Sequence, residues 1–447
     1  MNYAQAIIRF LGLQDVWIED LKISNKDRKI EIKVRQLRRS CFCSHCGLQL
    51  ELVKDWQLRT LQAPPMGIFQ FVKVKFYQMR GICEDCNRTS VARVDWIHPK
   101  FDSMTCGFAE VAGRLMEETT CEATARMLGS NSKTMWQLDQ YRMAIMMQYL
   151  QLPKDLDVSY LCGDEVHFRT LRLQNRKGLF AKRWQPEFVT NLVCPIEGKV
   201  LFNSLGRDSA AMQAALSVLS PGQKMAVEKF AVDMHEPFIS AAAKELPNAT
   251  ICIDRFHLAQ KVNEAFDFLR RSEFKIARQK KDNFQQSMLE PHRRFILVTR
   301  DKSFLSKSEE KLLDRLKFAN HNIYLGMLLV EYFHRALDQK TIPTFRKAVG
   351  QWYNVCRRAR LESFTKFAKT LRKYRKNIEA YITSRLTTAT VEGLNNKIQV
   401  LKRVGYGYTN PVSFLRKILQ RCGYLNHLSI NTDEFFVRWP NPVKSRR

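Results

Sequence analysis

No stretch of about 18 uncharged apolar residues occurs in the 447-residue chain, and Arg9 interrupts the apolar segment near its start. A membrane span and a cleaved secretory leader are therefore not expected. A convincing Ser/His/Asp or Cys/His signature is also missing, so the residues argue for no covalent protein nucleophile. Acidic side chains are scarce: 44 Asp+Glu face 73 Lys+Arg, a net charge of +29. Such a surplus concentrates polyanions at the surface and suits a phosphate backbone better than a small metabolite. A basic membrane-surface protein is the competing reading, which the lack of apolar segments disfavours. With 45% hydrophobic residues the chain is not disordered, and at roughly 150 residues per domain its length predicts about three domains.

The 12 cysteines are unevenly spaced, and Cys41, Cys43, Cys46, Cys83 and Cys86 lie before residue 90. Cys43/Cys46 and Cys83/Cys86 are CxxC pairs, each followed by a turn former, Gly47 and Asn87. Four thiolates from two such knuckles suit one tetrahedral, structural Zn²⁺, provided the chain between them folds back. Residues 51–80 read as that hairpin, with Pro64–Pro65 at its turn and Ile68–Tyr77 alternating in its second arm. Unrelated buried thiols are the alternative. Cys41 is a spare thiol, and the seven later cysteines read as packed free thiols.

Residues 107–146 carry helical periodicity broken at Gly129–Asn131, with Ser132 as the expected N-cap of the following helix. Helix, glycine turn, helix is the outline of a helix-turn-helix, in which Lys133, Thr134 and Gln137 would face a DNA major groove. An ordinary helical hairpin between domains has the same pattern. Gln151–Asp157, with Pro153, reads as a linker.

From 158 to 256 strand-like runs (159–168, 188–195, 199–205, 227–234 and 249–256) alternate with helical ones (208–219 and 236–246). Three antiparallel strands followed by helix, strand, helix, strand match a ribonuclease H-like plan. Asp164 falls within the first strand and Asp233 at the end of the fourth. A carboxylate among strand-forming apolar residues is costly unless a cation or hydrogen bonds offset it, so both point to metal or to a hydrogen-bonded structural role. Asp254, ending the fifth strand, is a rival ligand, whereas Glu165 belongs to the opposite strand face from Asp164.

Residues 257–385 read as almost continuously helical and basic. Between Lys340 and Lys376 twelve Lys/Arg, among them Arg357, Arg358 and Lys373, face Glu362 as the sole acid. Interleaved Trp352, Tyr353, Phe364, Phe367 and Tyr374 suggest a phosphate-tracking surface, although aromatics at helical spacing also fill cores. The segment Thr390-Val-Glu-Gly-Leu-Asn-Asn-Lys-Ile-Gln-Val-Leu-Lys-Arg-Val-Gly-Tyr-Gly-Tyr puts Glu392, Asn396, Gln399 and Arg403 near one helix face and Leu394, Ile398 and Leu401 on another. Lys402 and Arg403 add basic charge beside it. Alone, Glu392 could be an ordinary acid of a helix first turn.

Taken in order, the double CxxC module, the helix-turn-helix, the Asp-Glu of the first strand, Val-Asp-Met, Ile-Asp-Arg-Phe-His and the Glu-Gly-Leu-Asn-Asn-Lys-Ile segment resemble bacterial insertion-sequence transposases of the DDE type with an N-terminal zinc finger. The resemblance covers nearly the whole chain, with Cys41, Arg80 and Thr387–Thr390 departing from the tidy pattern. It implies a multidomain α/β protein: an N-terminal β/zinc-binding domain (1–98), a helix-turn-helix region (99–150), a ribonuclease H-like catalytic core in two parts (158–256 and 386–430) interrupted by an all-α basic insertion (257–385), and a tail (431–447). Asp164, Asp233 and Glu392 would be the catalytic acids, holding Mg²⁺ or Mn²⁺ for DNA cleavage and strand transfer. The implied partners are double-stranded DNA, both terminal inverted repeats and target, and further copies of the chain in a synaptic dimer or higher oligomer. The implied location is the bacterial cytoplasm, at the nucleoid. A zinc-dependent DNA-binding regulator, or a transposase without catalysis, is the alternative.

Overall fold

The structure, a computed structural model, describes residues 3–36, 42–50, 52–174, 180–290, 306–384, 389–405 and 407–425. Cys41, Thr387 and the 431–447 tail lie outside them. The chain divides into two compact units, one running to Leu150 and resuming at Leu401, the other comprising Gln151–Val400.

The first unit opens with helix α1 (Tyr3–Phe10) and strands β1 (Val16–Ser24) and β2 (Lys29–Gln36), then β3 (Phe42–Cys43), β4 (Leu52–Ala63), β5 (Phe71–Cys83) and β6 (Arg88–Arg93). Strand alternation sends Ile30, Ile32 and Val34 of β2 and Val72, Val74 and Phe76 of β5 into one core, closed by Leu11, Leu61 and Trp96. The β4–β5 hairpin forms as expected from the sequence, with Leu58 opposite Tyr77. At 13 residues, β5 is long enough to pair parallel with β2 along its first half and antiparallel with β6 at its end.

Helices α2 (Cys106–Glu118), α3 (Cys121–Leu128) and α4 (Ser132–Gln148) follow. Thr105 and Thr120 cap the first two through their side chains, and Gly129 ends α3 in the left-handed region at φ 60°. The cap of α4 is Asn131, whose carbonyl oxygen accepts from the Lys133 N–H, and not Ser132; either residue type caps well, and the chain enters the helix one residue earlier.

The second unit holds a five-stranded sheet. Its strands are β7 (Tyr160–Gln174), β8 (Phe180–Cys194), β9 (Lys199–Leu205), β10 (Lys229–Val232) and β11 (Thr250–Ile253), in the order β11-β10-β7-β8-β9. The pairs β7–β8 and β8–β9 are antiparallel, whereas β10 is parallel to both β7 and β11. Helices α5 (Ser209–Leu216), α6 (Pro221–Ala226) and α7 (Glu236–Glu245) connect the later strands, and α6 is an addition to the sequence reading. After β11 come α8 (Arg255–Gln279), α9 (Asn283–Met288), α10 (Lys307–Ala319), α11 (His321–Leu337), α12 (Ile342–Ala359), α13 (Glu362–Lys373), α14 (Arg375–Ser384) and α15 (Ala389–Val404); α16 (Pro411–Cys422) belongs to the first unit.

The helical region corrects one expectation. Trp352, Phe364, Phe367 and Tyr374 are buried, with the Trp352 indole N–H donating to the Leu329 carbonyl at 2.8 Å and its ring against Phe333 and Phe367. These aromatics are core and are unavailable for stacking on bases, because the amphipathic helices turn their rings toward one another. Half-buried Tyr353 lies under the Arg372 guanidinium at 4.8 Å.

Candidate functional site

The four cysteines converge as the two CxxC pairs require. Cys43 ends β3 and Cys83 ends β5, while Cys46 and Cys86 stand in the turns that follow. Gly47 (φ 77°) and Asn87 (φ 48°) reverse the chain in the left-handed region, which only glycine and a few polar residues take readily. All four Sγ atoms lie within 4.8 Å of one another, with Cys46 and Cys83 at 3.4 Å. Tetrahedral Zn²⁺ with bonds of about 2.3 Å needs sulfurs about 3.8 Å apart, so this donor set fits the ion. Burial works against a Cys43 thiolate. Hydrogen bonding to Ser90 and to backbone N–H groups of Cys46 and His45 outweighs it and brings the thiol down to about 6.

In the second unit, Asp164 stands on β7, opposite Asn191 of β8. Asp233 directly follows β10, the parallel neighbour of β7. Burial raises the Asp164 carboxyl above the usual range, as does nearby Asp233; His257, a hydrogen bond from Asn395 and the Glu165 N–H oppose the rise. Asn395 Nδ2 donates to Asp164 Oδ2 at 2.6 Å. Asn395 lies on α15 one turn beyond Glu392, so the contact holds the glutamate-bearing helix against the strand. Leu394 and Ile398 fill the buried side of that helix, and Glu392 is exposed. His257, at the start of α8, brings Nδ1 to 3.7 Å from Asp233 Oδ1. Asp254 is buried at the head of the same helix. Glu165 pairs with Arg207 at 3.0 Å, and burial, with the nearby charges of Asp164 and Asp233, raises its carboxyl above the usual range.

Among the described residues, the four thiols are the one group of three or more metal-ligating side chains with all ligand atoms within 4.8 Å, so the three acids do not gather that tightly. Their carboxylate oxygens nonetheless suit Mg²⁺ or Mn²⁺, which favour hard donors and retain water ligands. Desolvation and the like charge of Asp233 at Asp164 are costs that a cation offsets.

Sequence reasoning placed Asn396 near the Glu392 face, where both side chains are exposed, and did not name Asn395, the residue that bonds Asp164. It also left Asn191 unread. That side chain is fully buried, and neither amide atom has a hydrogen-bond partner among the described residues.

The expected DNA-facing residues are distributed as follows. Lys133 and Gln137 are exposed on α4 and Thr134 is half-buried; Trp136, which sequence reasoning passed over, is exposed between them. Arg357, Arg358 and Arg403 are exposed, and Lys402 is half-buried, its ammonium lowered by burial and by Arg403. Lys373 is engaged with Glu236 at 2.7 Å. No helix among the described residues is long and apolar enough to cross a membrane.

Over 404 residues the chain is 26% identical to the transposase of insertion sequence element IS1001 of Bordetella parapertussis, covering 90% of this chain and 92% of that one. It is 20% identical over 245 residues to the transposase of insertion sequence element IS1557 of Mycobacterium tuberculosis, covering 51% of this chain and 55% of that one. Among solved structures, the Drosophila P element transposase strand transfer complex aligns over 72% of this chain and 93% of its own at 9% identity, with a TM-score of only 0.35. The sequence pattern of the ISL3 family of DDE transposases matches residues 180–418, more than half of the chain. The protein belongs to the ISL3 family of insertion-sequence transposases.

Proposed function

We propose that the protein cuts and joins DNA at the ends of an insertion sequence, with Asp164, Asp233 and Glu392 as the acids of a DDE site. The observation that carries this reading is the Asn395–Asp164 hydrogen bond, which ties the Glu392 helix to the strand bearing the first acid. The strand order β11-β10-β7-β8-β9, with its change from parallel to antiparallel at β7, supports a ribonuclease H-like core. In this reading the helices from α8 to α14 form an insertion before the Glu-bearing helix.

The three carboxylates would hold the divalent cations. Bound there, the cations supply activation of a water or a DNA 3′-hydroxyl and stabilisation of the leaving oxyanion. Asn395 orients Asp164 Oδ2, and His257 lies beside Asp233. The four-cysteine centre would hold a structural Zn²⁺ outside the chemistry. Lys133, Thr134 and Gln137 on α4 would read the duplex, and exposed Arg357, Arg358 and Arg403, with Lys402, would meet phosphates; a dimer or higher synaptic assembly would hold two ends. Lys373 is the weakest member of the DNA-binding set because Glu236 already neutralises it.

The test uses purified protein, Mg²⁺ or Mn²⁺ and a duplex carrying the element's terminal repeats. Wild type should nick or join strands, and Asp164→Asn should abolish this while leaving duplex binding in place. Equal activity of the two proteins would leave a DNA-binding protein without DDE chemistry.

A further inference from the structure

The zinc-bearing sheet has a second face that the proposed chemistry does not use. Alternation sends Val16, Ile32, Val34, Val74 and Phe76 to the core and leaves Trp17, Lys33, Arg35 and Tyr77 on the other side. Trp17 of β1 stands opposite Arg35 of β2, and Tyr77 of β5 stands opposite Leu58 of β4. Trp17, Lys33, Arg35 and Tyr77, with Trp56 of β4, line one open cleft of about 770 Å³. Its rings are 63% (Trp17), 40% (Trp56) and 45% (Tyr77) exposed, high values for side chains whose burial is normally favourable. Lys33 Nζ lies 5.6 Å from the centre of the Tyr77 ring, and its charge is shared with Glu19 at 3.0 Å.

Three exposed rings on separate strands, with a basic strand between two of them, make a surface that a folded duplex uses poorly. Paired bases keep their faces stacked inside the helix, whereas unpaired bases offer them, and every base has a face to offer. Charge selects the same occupant. Lys33 and Arg35 line the cleft against Glu19, and β2 carries Lys29, Lys33 and Arg35 against Glu31 alone. A second copy of this face would bring two such basic strands together, and a polyanion would neutralise them.

We propose that this cleft binds an unpaired DNA strand, with bases stacked on Trp17, Trp56 and Tyr77 and phosphates met by Arg35. The proposal rests on the reading of the protein as a strand-cutting transposase, since cutting one strand of a duplex supplies a strand end that can leave its partner. It assigns the sheet a ligand different from the intact duplex expected at α4.

The experiment measures fluorescence anisotropy of a labelled 15-nucleotide thymidine oligomer and of a labelled duplex of the same length with the full-length chain. The variants are Trp17→Ala, Tyr77→Ala and Arg35→Gln, with Phe318→Ala, an exposed ring in the other unit, as control. Each ring variant should weaken single-strand binding about tenfold, by the usual contribution of one stacked base, and leave duplex binding within about twofold. Thermal melting and zinc content should match wild type. Unchanged single-strand affinity would overturn the proposal. So would equal loss of single-strand and duplex binding, which marks general electrostatics, or loss of self-association in Trp17→Ala, which marks a protein partner. Because the assay needs no cutting, a wild type that stacks the oligomer but never nicks a duplex would count against the transposase chemistry and not against the cleft.

Discussion

Asn395 donates to Asp164 at 2.6 Å across 231 positions of sequence, and it does so from the helix turn that follows Glu392. The bond offsets part of the cost of burying the carboxylate. Asn395 Oδ1 has no partner among the described residues, so the amide is held mainly by this one bond and by the packing of Leu394 and Ile398 below it. Asn395→Ala should lower strand cutting by about 10- to 100-fold, the usual cost of removing a group that orients a metal-binding carboxylate. Duplex binding should persist. A variant that cuts at the wild-type rate would show that the Asp164 geometry is set elsewhere.

The four thiols make a separate prediction. The purified chain should contain about one zinc per molecule by atomic emission, as expected for one Cys₄ site. In Cys46→Ser the metal should be largely lost, because three thiolates leave the tetrahedral Zn²⁺ one ligand short. Sequence-specific binding to transposon ends should weaken while salt-sensitive, non-specific DNA affinity stays close to wild type. Full zinc retention in the variant would contradict a four-thiolate site.

The cysteine module was legible because zinc ligands and their turn residues are local: spacing, Gly47 and Asn87 sufficed. The acids Asp164 and Asp233 were legible as carboxylates at strand positions. What sequence periodicity could not decide was burial. Trp352 and Phe367 sit among basic residues at helical spacing, and the same pattern describes a solvated face or a packed one until neighbouring helices are known. The first strands were hidden for another reason. A register shift between Ile18 and Asp20 breaks the alternation of β1, and the parallel partner of β2 lies about 40 residues away on β5.

In the first unit Lys417 of α16 is buried against Asp139 of α4 at 2.9 Å, and also donates to the Met116 carbonyl and to Gln420. With both charges out of water, removing one leaves the other uncompensated. Lys417→Met should destabilise this unit by about 3–5 kcal/mol in denaturant unfolding, whereas Lys417→Met combined with Asp139→Leu should recover most of the loss. The Gln420 amide, 3.3 Å from Asp139, would retain a residual cost in the double variant. If the single variant unfolds at the wild-type midpoint, the pair carries no such penalty.

His98 gives the same unit a pH dependence. Its ring is buried between Phe101 and Tyr141, and Nδ1 accepts from the Lys100 and Phe101 backbone N–H groups at 3.2 and 3.1 Å. Burial lowers the imidazole to about 4 from its ordinary 6.5. On acidification the unfolded chain therefore binds this proton first. The stability is fully present above pH 6.5 and declines as pH falls toward 4, to a limit of roughly 3 kcal/mol. Between pH 7 and pH 5 the loss should be about 2 kcal/mol, read as a roughly 30-fold fall in the hydrogen-exchange protection factor of the backbone at residues 98–106, with each rate corrected for the intrinsic exchange at its pH. His98→Gln keeps an acceptor for the two N–H groups but does not titrate, so it should start from a lower stability and lack this increment of the slope. A variant whose exchange steepens with acid as much as wild type would assign the dependence to carboxylates elsewhere in the unit.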